Sequence, residues 1–442
     1  MYILGTRLNN IDLLKQFLRE RYPKQWEHRH FVYVFADQCI ASCVNYATTI
    51  LFINALGLED YGRYGLILAF IGFFAALHNA LILMPMSSIL PQLEASKKSG
   101  AAYGWVLKHL AYVLGAFCCM LGLVGFLEQY NPSWVIAVHL LPLSFLFVSY
   151  LIQEFLRRYF LIEAMYKEML FYSVISNVTQ VVVLLYFFSK GELNLDLILL
   201  AISLTSFVAI IYAFFKTTLF HPKHYPFEEL MLSDGMKVGS WYTLSTIMGS
   251  LCAQVSLPLI GNILGLRLFG AFTAIGNCFL GINLTIVSFG NYRLSKLTPI
   301  AKNYHPMQLL HVIFKQNTLI FIVLAAQLIL TGLIGQFLIL HQLLLVLEPN
   351  TIFFLLLVQA ALTLLGILLS PVDVANQILQ NAKYPSLVRS VQPLLGLLTL
   401  LVLLKYVGIY AMPLNACLTF FVVYTLIYAQ YYRRYERRLK RR

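Results

Sequence analysis

The chain has 442 residues, of which 60% are hydrophobic and only 12% charged, and it carries a formal net charge of +13. A soluble domain carries about 25% charged residues, and no soluble fold of this length hides so much apolar side chain, so lipid is the expected main solvent. That composition excludes a separate soluble domain, and nucleic acid would require the basic residues to cluster in one patch, which they do not.

Residues 1–30 form the longest polar segment, a basic arm carrying Arg7, Lys15, Arg19, Arg21, Lys24 and Arg29. Ile3, Leu4, Leu8, Ile11, Leu14 and Leu18 recur near helical spacing. The arm reads either as an interfacial helix or as a topogenic segment with a little helix. It is too polar for a cleavable signal core.

Apolar segments come next, at 31–55, 64–90, 105–127, 134–153, 168–188, 195–215, 239–264, 269–292, 317–338, 350–371, 389–404 and 407–431. Each crosses roughly 30 Å of hydrocarbon as a helix. Lys and Arg sort by side: 28 of the 32 fall in the two termini and the even-numbered loops. The odd-numbered loops hold only Arg63, Lys190, Arg267 and Lys405. This positive-inside pattern requires an even number of spans and puts both termini in the cytoplasm. The seven cysteines all sit inside predicted spans, without metal-ligand spacing, and read as small packing residues.

The two halves repeat. Asn54, Leu56, Gly57, Leu58, Tyr61, Gly62 and Tyr64 match Asn262, Leu264, Gly265, Leu266, Phe269, Gly270 and Phe272 at a constant offset of 208. Gly57 and Gly265 suit helix C-caps, where positive φ is needed, and the aromatic residues suit the membrane interface. A weaker echo pairs residues 163–174 with 381–391. Six spans separate equivalent turns, so the repeats are parallel. The expected fold is all-α and polytopic, with about 12 transmembrane helices in two six-helix bundles related by a pseudo-two-fold axis, and substrate in the cleft between them. The expected layout is a basic cytoplasmic arm at 1–30 and an N-terminal bundle at 31–216. A cytoplasmic linker at 217–238, a C-terminal bundle at 239–431 and a basic cytoplasmic tail at 432–442 complete it.

The turn 56–62, and the basic aromatic segment Gln153–Phe160, resemble the polysaccharide transporter (Wzx-type oligosaccharide flippase) branch of the MOP superfamily. The resemblance implies alternating-access export of an undecaprenyl-pyrophosphate-linked oligosaccharide from the cytoplasmic to the external leaflet, for surface polysaccharide such as O-antigen or exopolysaccharide. It implies a multi-pass protein of the bacterial plasma (inner) membrane, partnered by membrane lipids, by H⁺ or Na⁺ as coupling ion and by polysaccharide assembly enzymes. It supplies no catalytic residues and no cofactor.

Ionisable side chains inside hydrocarbon are costly, so each is a functional candidate. Asp37, heading a stripe with Ala41, Asn45 and Thr48, could bind a coupling cation, or sit hydrated at the interface. His78 could take a proton near neutral pH, or be hydrogen-bonded within its bundle. In the seventh span Ser240, Thr243, Ile247, Ser250 and Gln254 share one face, and Asn277 and Ser288 lie in the eighth. With Asn45 they either line a sugar-binding cavity or pack helices together. Pro258 could bend the seventh helix. Arg157 and Arg158, with Lys237 from the other half, either fork a pyrophosphate or serve topology and head groups.

Three other functions remain open: a cation-coupled multidrug or toxin extruder of the same superfamily, a membrane glycosyltransferase or polymerase, and a receptor or scaffold. The short external loops lack paired carboxylates with a basic partner, a His-rich metal motif and a phosphate-cradling Gly-rich loop, which counts against an enzyme.

Overall fold

The computed structural model describes residues 24–130, 139–217, 265–277, 346–378 and 383–411, together with single positions and short runs elsewhere. Among the described residues every regular element is helical. Helix α1 (Lys24–His78) carries the first two spans. A π-turn (Asn79–Leu83) leads into α2 (Met84–Ile89), and then come α3 (Ala95–Tyr130), α4 (Leu140–Ile162), α5 (Tyr166–Lys190) and α6 (Leu195–Lys216). The second half contributes α7 (Leu266–Asn277), α8 (Pro349–Ile378) and α9 (Lys383–Val407).

Helix α1 is a hairpin. Gly57 has φ 73° and ψ 174°, which breaks the helical path. A straight helix would hold Phe52 and Tyr64 about 18 Å apart, yet their rings meet edge to face at 5.2 Å. Gly265, its equivalent, also has positive φ, at 88°. Only glycine takes this conformation without a Cβ penalty. The turns after α5 and α9 repeat the device with Gly191 and Gly408. The duplication read from side chains is therefore also present in the backbone, at two corresponding turns of each half.

The elements fit the expected spans closely, with α6 at 195–216 and α5 at 166–190. Asn194 caps α6 by accepting from the Leu197 amide at 2.9 Å, and Asp196 and Lys216 complement its dipole. One expectation needs correcting. The fourth span was placed at 134–153, but α4 runs from Leu140 to Ile162, so Arg157 and Arg158 lie inside a helix rather than in a loop. Hydropathy ends a span at the first charges. Here the charges are partnered within the bundle and the helix continues.

The apolar core is organised by end. Near the Gly57 turn, Phe52, Tyr61, Phe147 and Ile198 of the first half share one cluster with Ala271, Ile275 and Ile352 of the second. Toward the other end the described clusters around Met86 and Phe155, and around Phe160 and Tyr172, stay within the first half. The duplicated turns themselves meet. A Cβ at Gly62 would lie 2.6 Å from the Leu266 carbonyl oxygen, and one at Gly270 would overlap the Leu58 carbonyl. Leu58 and Leu266 are equivalent, as are Gly62 and Gly270, so each repeat offers the other the same surface.

Candidate functional site

Asp37 stands 20 residues before Gly57 and His78 stands 21 after it. At 1.5 Å per residue both lie about 30 Å from the turn, at one level of the hairpin. Helix α4 brings Arg157 and Arg158 to the same polar layer.

Asp37 is fully buried. Its carboxylate accepts from Arg157 Nη2 at 2.5 Å, from Gln38 Nε2 at 2.5 Å and from the Ser173 hydroxyl of α5. Asp37 is thus enclosed by protein, its carboxylate held by a cation and two neutral donors. Glu154, one turn earlier on α4, lies close enough to act on both arginines. The buried Tyr172 hydroxyl and Gln38 Oε1, beside this layer, have no hydrogen-bond partner among the described residues.

Arg158 turns the other way, donating to Asn79 Oδ1 at 3.3 Å. Asn79 opens the π-turn that comes after His78. His78 Nε2 lies 2.8 Å from His109 Nδ1 on α3, a partner within its own bundle. His109 stacks on Phe155 of α4 at 4.3 Å, and Tyr112 donates to the Phe74 carbonyl at 2.6 Å. A second polar ladder ties three helices together: Gln153 donates to Ser176 and accepts from Ser206, each at 3.1 Å.

The remaining candidates separate. Asn277 reaches across the halves to donate to the Tyr61 hydroxyl at 2.6 Å, so its visible role is at the crossing of the repeats. Asn45 and Ser250 are half-buried helix positions. Thr48 returns its hydroxyl to the Val44 and Asn45 carbonyls. Lys237, Gln254, Ser240, Thr243, Pro258 and Ser288 lie outside the described residues, as do the linker from 218 to 238 and the tail from 434 onward. A cleft of about 360 Å³ opens between α1 and α5, lined by Ala47, Thr48, Ile50, Leu51, Asn54, Val181, Leu185 and Phe188. Sequence reasoning passed over His109, Glu154 and Ser173. The rule that singled out Asp37 and His78 applies equally to His109 in the third span, and Glu154 was hidden by ending the fourth span one residue too early.

No family profile and no curated protein matches the sequence. Solved structures do match over nearly the whole length. A mutant MATE superposes with TM-score 0.71 at 13% identity, over 92% of this chain and 95% of that one. The MATE multidrug transporter DinF-BH, solved as a ligand complex, gives 0.67 at 15%, over 93% and 96%. A MOP superfamily transporter from Pyrococcus furiosus, described as having a binding pocket of reverse polarity, gives 0.67 at 12%, over 92% and 94%. These neighbours are transporters rather than enzymes. Two of the three are MATE proteins and the third is a MOP superfamily transporter, whereas the sequence motifs resemble the oligosaccharide flippases. Over more than nine-tenths of its length the chain shares the fold of these solved transporters, and its described residues are helical throughout their regular elements.

Proposed function

We propose that the protein is an alternating-access exporter of lipophilic small molecules, coupled to a cation at Asp37. This is the multidrug-extruder reading, and the shared fold supports it over the flippase. One observation in this chain carries it: a fully buried carboxylate whose charge is neutralised by a single arginine. A proton or Na⁺ at Asp37 competes with Arg157 for the same oxygen atoms. Binding the ion and keeping the pair are then mutually exclusive, which is the differential affinity that a coupled conformational change needs. The cleft between α1 and α5 accords with a lipophilic cargo, since Thr48 and Asn54 are its only polar side chains.

The working layout keeps bundles at 31–216 and 239–431, a linker at 217–238, and terminal segments at 1–30 and 432–442 in the cytoplasm. The test is uptake of the lipophilic cation ethidium into proteoliposomes under an imposed proton or Na⁺ gradient. Wild type accumulates the dye, and Asp37→Asn, compared at equal amounts of folded protein, loses gradient-driven uptake. Normal transport by Asp37→Asn removes the coupling role. If wild type moves neither ethidium nor any other lipophilic compound in a panel, the extruder reading is removed.

A narrower second reading keeps the oligosaccharide flippase, favoured by two adjacent arginines of which Arg158, among the described residues, donates to an amide oxygen at 3.3 Å. Arg158, and Arg157 once freed, would then take the pyrophosphate. Depleting the protein in its native cell separates the two: lipid-linked oligosaccharide trapped on the cytoplasmic leaflet supports the flippase, and unchanged surface glycan rejects it.

A further inference from the structure

We propose that His78 and His109 form a single proton-binding site, two imidazoles sharing one added proton, whose charge state controls Arg158. The site itself is independent of the proposed function, whereas its effect on transport rests on that reading.

The geometry sets the proton count. The rings meet through His78 Nε2 and His109 Nδ1 at 2.8 Å, so in the neutral pair one nitrogen donates and the other accepts. The outer nitrogens, His78 Nδ1 and His109 Nε2, are buried and have no hydrogen-bond partner among the described residues. Whichever ring donates at the centre must present a bare lone pair at its outer nitrogen, because a neutral imidazole carries one N–H. The pair therefore holds one open acceptor. An added proton lands there, and the central contact becomes a charge-assisted hydrogen bond, shorter and stronger than the neutral one. The two rings belong to helices 31 residues apart in sequence, so the proton also joins α1 to α3.

The surroundings determine where that charge is felt. Phe155 of α4 presents its face to His109 at 4.3 Å, with 15° between the planes, and Tyr112 of α3 lies 5.2 Å from His78. Both ring faces favour a cation. The Tyr112 hydroxyl is committed to the Phe74 carbonyl. Lys108, next to His109, points over the Trp105 ring at 4.5 Å. The charge that faces the pair from α4 is Arg158, with Glu154 and Arg157 beyond it on the same helix. A proton on the pair repels Arg158, and the contact that yields is its 3.3 Å bond to Asn79. Glu154 is the anion within reach of the released guanidinium.

Local backbone supports a specialised role. The π-turn begins at the residue after His78. Such single-turn insertions rotate the residues beyond them relative to an α-helix and are frequent at functional sites. His78 faces α3 and Asn79 faces α4, and the insertion begins at the point where the two diverge. Arg157 and Arg158 are sequence neighbours, so displacing one guanidinium is felt at the Asp37 pair. The proton on the histidines and the ion on Asp37 would thus act on one piece of α4.

The test uses the full chain in lipid nanodiscs, labelled with ¹⁵N-histidine and titrated from pH 9 to pH 4. The ten histidines are assigned by the losses in His78→Gln and His109→Gln. The expected result is one joint transition in which both imidazoles respond to a single proton, and a shift of the surviving ring when its partner becomes Gln. Phe155→Leu, which leaves both imidazoles in place, should move that transition about one pH unit lower by removing the stacked face. Two independent transitions, or no protonation at either ring in this range, overturn the proposal. Dye uptake is then measured against pH in His109→Gln. A flattened profile supports control of transport. An unchanged profile beside a joint titration overturns control over transport and leaves the proton site standing, while a failed exporter reading would show as absent uptake in wild type.

Discussion

Two regions of the molecule hold helices together by opposite means. At the duplicated turns, Gly62 and Gly270 let backbone approach backbone, and a hydrogen bond from Asn277 to Tyr61 joins the halves among the described residues. Some 30 Å away, Asp37, Arg157, Arg158, His78 and His109 form a layer held by charge and proton sharing. Close packing depends on shape alone, whereas the energy of a charged layer depends on the protons and ions it holds. A coupled exporter needs both: a contact between the halves that opens or closes as a unit, and a chemical trigger elsewhere that alters which state is favoured.

The comparison can be broken most severely at the charged layer. Arg157→Leu leaves Asp37 buried with no cation, and should cost about 3–5 kcal/mol of stability. Unfolding in SDS or by heat in detergent measures it. The double variant Asp37→Asn with Arg157→Leu should recover most of the loss, because no uncompensated charge remains. Equal losses in the single and double variants would show that the pair is not the source.

At the other region the expected effect is smaller but more directional. Gly270→Ala drives a methyl into the Leu58 carbonyl and Gly62→Ala meets Leu266 less severely. Overpacking of this kind costs about 1–3 kcal/mol, with Gly270→Ala the worse of the two. Because the clash lies between the halves, the strain should appear as separation of the turns, read by spin-label distances between α1 and α7. A destabilised protein with unchanged distances would assign the strain to one half alone.

The ladder through Gln153 offers a finer comparison. Gln153→Leu removes hydrogen bonds to Ser176 and Ser206, and interhelical bonds of this kind in membranes average about 0.6 kcal/mol each. A loss near about 1 kcal/mol in the unfolding titration is expected. The smallest effect belongs to Arg63→Ala. Its partners Glu59 and Asp60 are one helical turn away and largely exposed, so stability should change by less than about 0.5 kcal/mol. That variant is a control for the charged layer: similar chemistry in water contributes little.

Much of the fold was legible in the chain itself. The Gly57 and Gly265 turns, the parallel repeat and the extents of α5 and α6 have local causes: hydrocarbon thickness, the φ freedom of glycine and the end effects of helices. Each depends on residues near one another in sequence. The candidate site was legible only residue by residue. Asp37, His78, Arg157 and Arg158 were singled out because charge in hydrocarbon is costly, yet nothing in the sequence said that Arg157 belongs to Asp37, 120 residues away, or that His78 has a histidine partner. That same ignorance of partners cut the fourth span short before two arginines that lie inside α4.

The sequence by itself determined that this is a duplicated helical membrane protein and which polar residues enter the membrane, because hydropathy and glycine geometry act locally along the chain. Only the tertiary structure decided which of those residues meet, since the energy of a buried charge depends on what lies within a few ångströms of it in space. It also revealed a likeness that the short motifs do not carry, a fold shared with solved MATE structures over more than nine-tenths of the chain.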